Sequence, residues 1–184
     1  MRIISGYLKG KKISLPKDKF TRPLRDMVKE SIFNIIKHSN NFNSQIEGAK
    51  ILDLFSGSGS FGLECISRGA EKVIFNENYK NAIHVLEKNI RELNCEDKCT
   101  ILKSNCFELS KNFNQKVDLV FMDPPFKEKK INRLILSILE MKILKKEGII
   151  IIHRNKKFEE KICNDLNILD IRNYGLSKII FASN

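Results

Sequence analysis

Most of the chain alternates short apolar runs with amphipathic stretches. The apolar runs predict seven strands, at residues 50–54, 72–76, 100–103, 118–122, 148–153, 167–173 and 178–181. Helical periodicity predicts helices between most of them, at residues 60–68, 80–93 and 130–142. This alternation predicts an α/β fold, in which a mostly parallel, seven-stranded sheet carries helices on both faces. The last two strands leave no room for a helix, which predicts a closing antiparallel hairpin around Gly175.

The first 44 residues follow a different pattern. Residues 2–4 and 11–15 predict a short β-hairpin, and Pro23 suits the first turn of a helix that runs to about Lys37. A polar stretch at residues 38–44 then separates this part from the alternating pattern. We therefore predict an N-terminal hairpin and helix extension at residues 1–44, and a larger α/β domain at residues 45–184.

Positive charge is concentrated in the N-terminal extension. Residues 1–30 contain nine basic and three acidic side chains, so they carry +6 of the net charge of +11. A chain rich in Lys, Ile and Asn is also what an AT-rich genome encodes, but that bias would not place the charge in one segment. The distribution favours a face that contacts nucleic acid, with Lys9, Lys11 and Lys12 as candidate contacts.

Composition argues against several other classes of protein. A chain of 184 residues with 42% hydrophobic residues is typical of one folded domain and not of a disordered protein. The longest apolar runs fall short of the roughly 20 residues of a membrane helix, and no signal peptide is recognisable, so we expect a cytoplasmic protein. The five cysteines form no Cys-x-x-Cys pair and the three histidines are scattered, which predicts reduced thiols and no metal site.

A glycine-rich turn follows the first predicted strand of the larger domain. Its spacing is Gly57-x-Gly59-x-x-Gly62, and glycines allow a backbone to turn sharply and lie against a ligand. Ligands of open parallel sheets bind at the carboxyl ends of strands, where this turn stands. Glu77 ends the next strand, where a carboxylate accepts hydrogen bonds from a ribose diol. This pattern fits S-adenosylmethionine and a nicotinamide dinucleotide equally well.

The tetrapeptide Asp123-Pro124-Pro125-Phe126 is the most specific signal in the chain. An exocyclic amino group is a poor nucleophile because its lone pair is delocalised into the ring. The Asp123 carboxylate and the Pro124 carbonyl can accept hydrogen bonds from its two N–H groups and free that lone pair, while Phe126 stacks on the base. The tetrapeptide therefore predicts methylation of an amino nitrogen. A nicotinamide oxidoreductase leaves it unexplained.

The glycine-rich turn together with Asp-Pro-Pro-Phe resembles the seven-stranded, Rossmann-like class I methyltransferases that act on amino nitrogens. Residues 2–6, 9–12, 21–23, 28–34, 57–70 and 174–175 resemble, more narrowly, the bacterial 16S ribosomal RNA guanine-N2 methyltransferases of the RsmD family. This resemblance covers nearly the whole chain. It implies S-adenosyl-L-methionine as the cofactor, and ribosomal RNA or an assembled small ribosomal subunit as the partner. We expect the protein to act as a monomer.

The resemblance also implies roles for single residues. It places Asp53, Phe55, Gly57, Gly59, Gly62 and Glu77 in the cofactor site, with Asn105 and Cys106 at the adenine ring. It places Asp123, Pro124 and Phe126 around the target guanine, and Arg22 and Pro23 at the mouth of the pocket.

Three alternatives remain open from the residues alone. The Asp123 chemistry would also serve the N6 amino group of adenine in DNA, although such enzymes normally need a target-recognition domain for which the sequence leaves no room. It would serve a glutamine amide in a protein, although those enzymes more often carry Asn at this position. An RNA-binding protein without catalysis is the third alternative, and the intact Gly57, Glu77 and Asp123 argue against it.

Overall fold

The computed structural model describes residues 1–18, 24–39, 45–111, 113–157 and 162–184. Four helices lie in these ranges: α1 (Asp26–His38), α2 (Ser60–Ser67), α3 (Lys80–Glu92) and α4 (Ile131–Glu140). The strands are β1 (Lys50–Leu54), β2 (Lys72–Asn76), β3 (Cys99–Leu102), β4 (Val117–Met122), β5 (Leu144–Asn155), β6 (Asn167–Tyr174) and β7 (Ser177–Ser183). Short 3-10 turns at Glu96–Lys98 and Cys106–Lys111 flank β3.

The seven strands form one sheet in the order β3-β2-β1-β4-β5-β7-β6. The five strands from β3 to β5 are parallel neighbours, whereas β7 runs antiparallel to both β5 and β6. The antiparallel hairpin around Gly175 is therefore confirmed, and its φ of +58° suits glycine. The strands β2 and β3 lie on one side of β1, and the chain then crosses to the other side of β1 to form β4. Ligands of such sheets bind at this switch in strand order, between β1 and β4.

Helices cover both faces of the sheet, and this explains why its central strands are apolar along nearly their whole length. On one face lie α1, α2 and α3, and on the other lie α4 and the 3-10 turn after β3. The ring of Phe61 on α2 stacks between Phe33 on α1 and Phe121 on β4, with centroid distances of 5.2 and 3.8 Å. The predicted α/β fold with a mostly parallel sheet is thus confirmed.

The N-terminal hairpin is shorter than its predicted strands. Arg2 and Lys12 form an isolated antiparallel bridge, with hydrogen bonds from the Ile3 N–H to the Lys11 carbonyl (2.9 Å) and from the Gly10 N–H to the Ile3 carbonyl (3.0 Å). The intervening residues do not extend the ladder because they dock onto α2 instead. The helix after it begins at Asp26, and the predicted start at Pro23 lies outside the described residues.

Two features of α2 hold this N-terminal segment. The buried Glu64 carboxylate accepts the N–H groups of Ile4 (2.8 Å) and Ser5 (3.0 Å) and lies 3.7 Å from the buried ammonium of Lys29 on α1. Gly6 has φ +82°, and a Cβ there would overlap the carbonyl of Ser67. The described part of residues 1–39 therefore shares its core with the α/β part. A separate RNA-facing role for residues 1–44 stays a prediction.

Candidate active site

The structure brings four of the predicted site residues to one edge of the sheet. Gly57, Glu77, Asn105 and Asp123 follow β1, β2, β3 and β4, whose carboxyl ends meet because these strands are parallel. The register places the last residues of β1, β2 and β4 side by side, and neighbouring strands lie about 4.8 Å apart. A ligand lying across this edge can contact all four loops.

The three glycines of the turn serve different purposes. At Gly59 an added Cβ would overlap the Leu86 side chain, and at Gly62 it would overlap the ring of Phe75, so these two allow α2 to pack closely on β2 and α3. Gly57 has φ +55° and no atom within 4 Å of the position of a Cβ. The open space at Gly57 is the part of the turn that a ligand can approach.

Glu77 closes the turn from the neighbouring strand. Its Oε2 accepts the Gly57 N–H at 2.8 Å, and its Oε1 accepts the N–H groups of Asn78 and Tyr79, both at 2.9 Å. These bonds fix the direction of a half-buried carboxylate that still has lone pairs facing outward. The arrangement fits the predicted ribose contact, because a diol needs acceptors held in place at this strand end.

Asp53 supports the turn from below. The side chain is 1% exposed, and its Oδ2 accepts the Gly62 N–H at 3.0 Å. Burial raises the pKa of the Asp53 carboxyl well above its usual value; the bond from Gly62 opposes this, and the nearby Asp123 and Glu77 charges raise the pKa further. In this position Asp53 holds α2 against the turn, and a direct contact with the cofactor stays a prediction.

The loop after β3 lies at the same edge of the sheet, next to the loop after β2. The side-chain oxygen of Asn105 accepts the Phe107 N–H at 3.1 Å and so caps the 3-10 turn. Cys106 is buried, and burial raises the pKa of its thiol to about 12, so it is a neutral apolar side chain at neutral pH. Phe55, which has φ +58°, meets Phe107 edge to face at 6.3 Å between ring centroids. This contact joins the loop after β1 to the loop after β3, and a place for the adenine ring at Asn105 and Cys106 stays a prediction.

Asp123 is held by His153, and His153 is held in turn by Ser177; the sequence reasoning missed both residues. Its Oδ1 lies 2.8 Å from Nδ1 of His153, and Nε2 of the same imidazole lies 2.8 Å from the Ser177 hydroxyl. The side chains of Asp123 and His153 are 20% and 8% exposed. The sequence contained a signal for His153, because it is the last residue of the apolar strand predicted at residues 148–153. Glu77 and Asp123 were selected because polar side chains at the carboxyl ends of such strands face the ligand site, and the same reasoning applies to His153.

Arg154, also missed, holds the loop that follows the two prolines. Its guanidinium donates to the carbonyls of Pro125 (3.3 Å), Phe126 (3.5 Å) and Glu128 (2.9 Å), and the residue is 4% exposed. Pro124 is buried, and within the described ranges no group donates to its carbonyl. This is compatible with the predicted role of the Pro124 carbonyl as an acceptor for a ligand, which stays a prediction.

Phe126 lies beside His153, whereas the predicted RNA contacts that the structure describes lie on the N-terminal segment. The half-buried Phe126 ring meets His153 edge-on at 5.9 Å. Lys9, Lys11 and Lys12 are exposed on the N-terminal segment. Arg22 and Pro23 lie outside the described residues.

The N-terminal segment also touches the cofactor side directly. The buried Asn89 amide on α3 donates to the carbonyls of Ser14 and Ser58, both at 3.0 Å, and accepts the Ser14 N–H at 2.8 Å. Asp18 accepts the Tyr79 hydroxyl at 3.0 Å, two residues beyond Glu77. The N-terminal segment is thus joined to the loop after β1 through Asn89, and to the loop after β2 through Tyr79.

The described ranges contain neither a metal-binding cluster nor a membrane-spanning helix. No group of three or more His, Cys, Asp or Glu side chains there could hold a metal ion. The helices in these ranges include none long and apolar enough to cross a membrane. All five cysteines are free thiols.

Comparison with known proteins identifies the family. A family model described as "Conserved hypothetical protein 95", which corresponds to the RsmD family, matches residues 1–183. The chain belongs to this family. A "Putative rRNA methyltransferase YlbH" from Bacillus subtilis is 33% identical over 97% of this chain and 96% of its own length. A "Ribosomal RNA small subunit methyltransferase D" from Haemophilus influenzae is 35% identical over 85% of this chain and 79% of its own.

The fold agrees with a solved structure as well. The "putative methylase HI0767" from Haemophilus influenzae matches 100% of this chain and 97% of that one, with a TM-score of 0.78 and 29% sequence identity. As a member of the RsmD family, the chain is a class I methyltransferase, and S-adenosylmethionine is its methyl donor. The open position at Gly57 and the fixed Glu77 carboxylate are the features that fit this cofactor.

Proposed function

We propose that this methyltransferase acts on the exocyclic N2 amino group of a guanine in the RNA of the small ribosomal subunit. The observation that carries the proposal is the pair of acceptors after β4. One oxygen of the Asp123 carboxylate is bound by His153, which leaves the other for a ligand, and the Pro124 carbonyl has no donor among the described residues. Two acceptors for two N–H groups is the arrangement that an amino group requires.

The acceptors act on the lone pair of the nitrogen. Hydrogen bonds from both N–H groups, to Oδ2 of Asp123 and to the Pro124 carbonyl, favour a pyramidal nitrogen whose lone pair is free to attack a carbon. When bound, S-adenosylmethionine supplies that carbon as a methyl group on a sulfonium, and the electron pair of the broken bond stays on sulfur. Phe126 would stack on the base and keep the nitrogen aimed at the cofactor edge.

Asp123 can also accept the proton that the nitrogen must lose after methylation. Once the methyl group has added a fourth bond to the nitrogen, the nitrogen is positively charged and must lose one of its two protons. Oδ2 of Asp123 already accepts a hydrogen bond from one of them, so the proton moves to that oxygen and from there to water. No metal is needed in this scheme, because the methyl group is activated before it reaches the protein.

The choice of ribosomal RNA rests on the relatives and on the basic N-terminal segment. Both curated relatives described above are named as ribosomal RNA methyltransferases, one of them for the small subunit. A guanine must leave its stack for N2 to reach Asp123, so a base in a loop is a cheaper target than one in a duplex. The exposed Lys9, Lys11 and Lys12 would neutralise phosphates beside such a loop.

One experiment tests the reaction and the substrate together. Labelled S-adenosylmethionine is incubated with unmodified small ribosomal subunits, and the RNA is digested to nucleosides. We expect the label in N2-methylguanosine. Label in another nucleoside would contradict the guanine assignment, and label only on DNA or on protein glutamine in parallel reactions would replace the RNA substrate.

Charge reversal tests the RNA-facing role of the N-terminal segment. Changing Lys9, Lys11 and Lys12 together to Glu should weaken RNA binding and flatten the plot of log affinity against log salt by about 0.7 for each phosphate that is no longer neutralised. Cofactor affinity should not change, because these side chains are exposed and none of their described contacts is with the turn at Gly57. Changing the exposed Lys116, Lys142 and Lys146 together to Glu provides a matched control for a general change in charge. An unaltered salt slope would show that the segment does not contact RNA.

A further inference from the structure

We infer that His153 is a positioning residue for methyl transfer: its Nδ1–H binds one oxygen of Asp123 and so presents the other oxygen to the substrate amino group. This inference rests on the proposed function for its role in catalysis. The hydrogen-bond arrangement itself can be tested without any substrate.

The register of the sheet puts His153 beside Asp123. Met122 of β4 is paired with Ile152 of β5 in a parallel ladder, so the next residues along, Asp123 and His153, lie next to each other on the same face. The measured separation of 2.8 Å between Oδ1 and Nδ1 is that of a strong, charge-assisted hydrogen bond.

The register with β7 puts Ser177 on the other side of the ring. His153 is paired with Ile179 in the antiparallel ladder, and Ser177 lies two residues along β7 on the same face. Its hydroxyl lies 2.8 Å from Nε2. With both ring nitrogens engaged, the imidazole cannot rotate without breaking two hydrogen bonds in a largely buried place.

The orientation of the ring decides which oxygen of Asp123 is used. A carboxylate that is 20% exposed and bonded only to water would rotate about its last bond, so the plane of its two equivalent oxygens would not be fixed. Binding of Oδ1 by the Nδ1–H stops that rotation. A carboxylate is an acceptor only, so Nδ1 must carry a proton to bind Asp123, and Nε2 is hydrogen-bonded to the Ser177 hydroxyl. Phe126 lies edge-on to the same ring, with 5.9 Å between the ring centroids.

Substitutions at His153 separate the two ring nitrogens. In His153→Asn the amide nitrogen occupies nearly the place of Nδ1 and can still donate to Asp123, whereas in His153→Gln it reaches nearer to Nε2 and Ser177. His153→Ala should lower kcat about 10-fold or more, since a misplaced group costs up to about 100-fold. The Michaelis constants for RNA and cofactor should change less than about 3-fold.

The expected order of activity is wild type, then His153→Asn, then His153→Gln with His153→Ala. Recovery of most of the lost kcat in His153→Asn supports the inference, provided that the thermal unfolding temperatures of the variants agree. Equal recovery in His153→Gln, or an unchanged kcat in His153→Ala, would overturn it. Ser177→Ala should lower kcat by only about 2-fold to 3-fold, because the Asp123 bond remains.

Nitrogen NMR of the imidazole tests the hydrogen bond between His153 and Asp123 without any substrate. With ¹⁵N-labelled histidine, the Nδ1 of His153 should be protonated at the pH of the assay, and its signal should shift when Asp123 is changed to Ala. An unprotonated Nδ1 would overturn the inference even if methylation of guanine succeeds. A protonated Nδ1 together with no label in guanosine would instead contradict only the proposed function.

Discussion

The two halves of the site are built in different ways. On the cofactor side, the turn at Gly57 is held by Glu77 from the adjacent strand, and by Asp53 within the same motif. On the acceptor side, Asp123 and its loop are held by His153 and Arg154 at the end of β5. These supports come from about 30 residues further along the chain and belong to no motif.

This difference explains why the halves have different requirements. The cofactor side uses backbone N–H groups and glycines, so its geometry follows from the course of a short piece of chain. The acceptor side must direct a side-chain oxygen and a carbonyl at one nitrogen, and such directions need several fixed side chains around them. Single substitutions should therefore affect cofactor affinity on one side and turnover on the other.

The largest separation is expected for Asp123→Ala. Loss of this acceptor should lower kcat about 100-fold or more, the scale seen when one hydrogen-bonding group of a reaction centre is removed. The dissociation constant of S-adenosylmethionine, measured by calorimetry, should change less than about 3-fold because the turn at Gly57 is untouched. Equal losses in turnover and in cofactor affinity would remove the distinction between the halves.

The converse change on the cofactor side is Glu77→Ala. It should weaken cofactor binding by about 1–3 kcal/mol, the scale for lost hydrogen bonds to a charged group. At saturating cofactor, kcat should remain within a few fold of the wild-type value. Glu77→Gln, which keeps one acceptor oxygen, should fall between the two; unchanged affinity in Glu77→Ala would show that Glu77 does not bind the ribose.

Arg154→Ala tests whether a residue outside any motif controls the acceptor side. Three loop carbonyls would lose their donor, so kcat should fall about 10-fold while cofactor affinity is kept. Arg154→Lys is the matched control: it keeps the charge but not the planar set of donors, and should recover only part of the activity. Full activity in the Ala variant would show that the loop is held by other contacts.

Asp53→Asn should have the smallest effect, and on stability alone. Burial raises the pKa of Asp53 above the value of about 3.9 in an unfolded chain. The native state therefore keeps its proton to higher pH, and this contribution to stability, full below about pH 4, is lost as the pH rises through the raised pKa. The amide oxygen of the variant can still accept the Gly62 N–H.

Denaturant unfolding between pH 4 and pH 8 measures this effect. The free energy of unfolding of Asp53→Asn relative to wild type should increase with pH across that range. A difference that stays constant with pH would mean that Asp53 has the same proton affinity in the native and unfolded states.

Much of the fold could be predicted because its signals are local. The strands β1 and β2 begin and end at the predicted residues, and α2 and α3 end within one residue of the prediction. Each is an apolar or amphipathic run bounded by a turn, which periodicity alone detects. The N-terminal hairpin was overestimated because Ile4 donates to Glu64 on α2 and Ser14 donates to Asn89 on α3, and no periodicity within the predicted strands could show this.

The candidate site divides in the same manner. Glycine spacing and the two prolines of Asp-Pro-Pro-Phe are properties of consecutive residues, so they indicated the cofactor edge and the acceptor loop directly. The position of β7 between β5 and β6 is not such a property, and without it Ser177 has no relation to Asp123. The histidine at the end of β5 could be seen in the sequence but not given a partner.

The sequence by itself thus determined the order of strands and helices, the glycine-rich turn and the family, and it indicated Asp123 as the candidate acceptor. Only the tertiary structure decided which groups surround Asp123, that Gly59 and Gly62 serve packing, and that Asn89 joins the N-terminal segment to the cofactor loop. The physical reason is the separation along the chain between the residues that interact. Backbone conformation and periodicity depend on neighbours in the chain, whereas a hydrogen bond between distant side chains depends on strand order and register, which the whole core sets together.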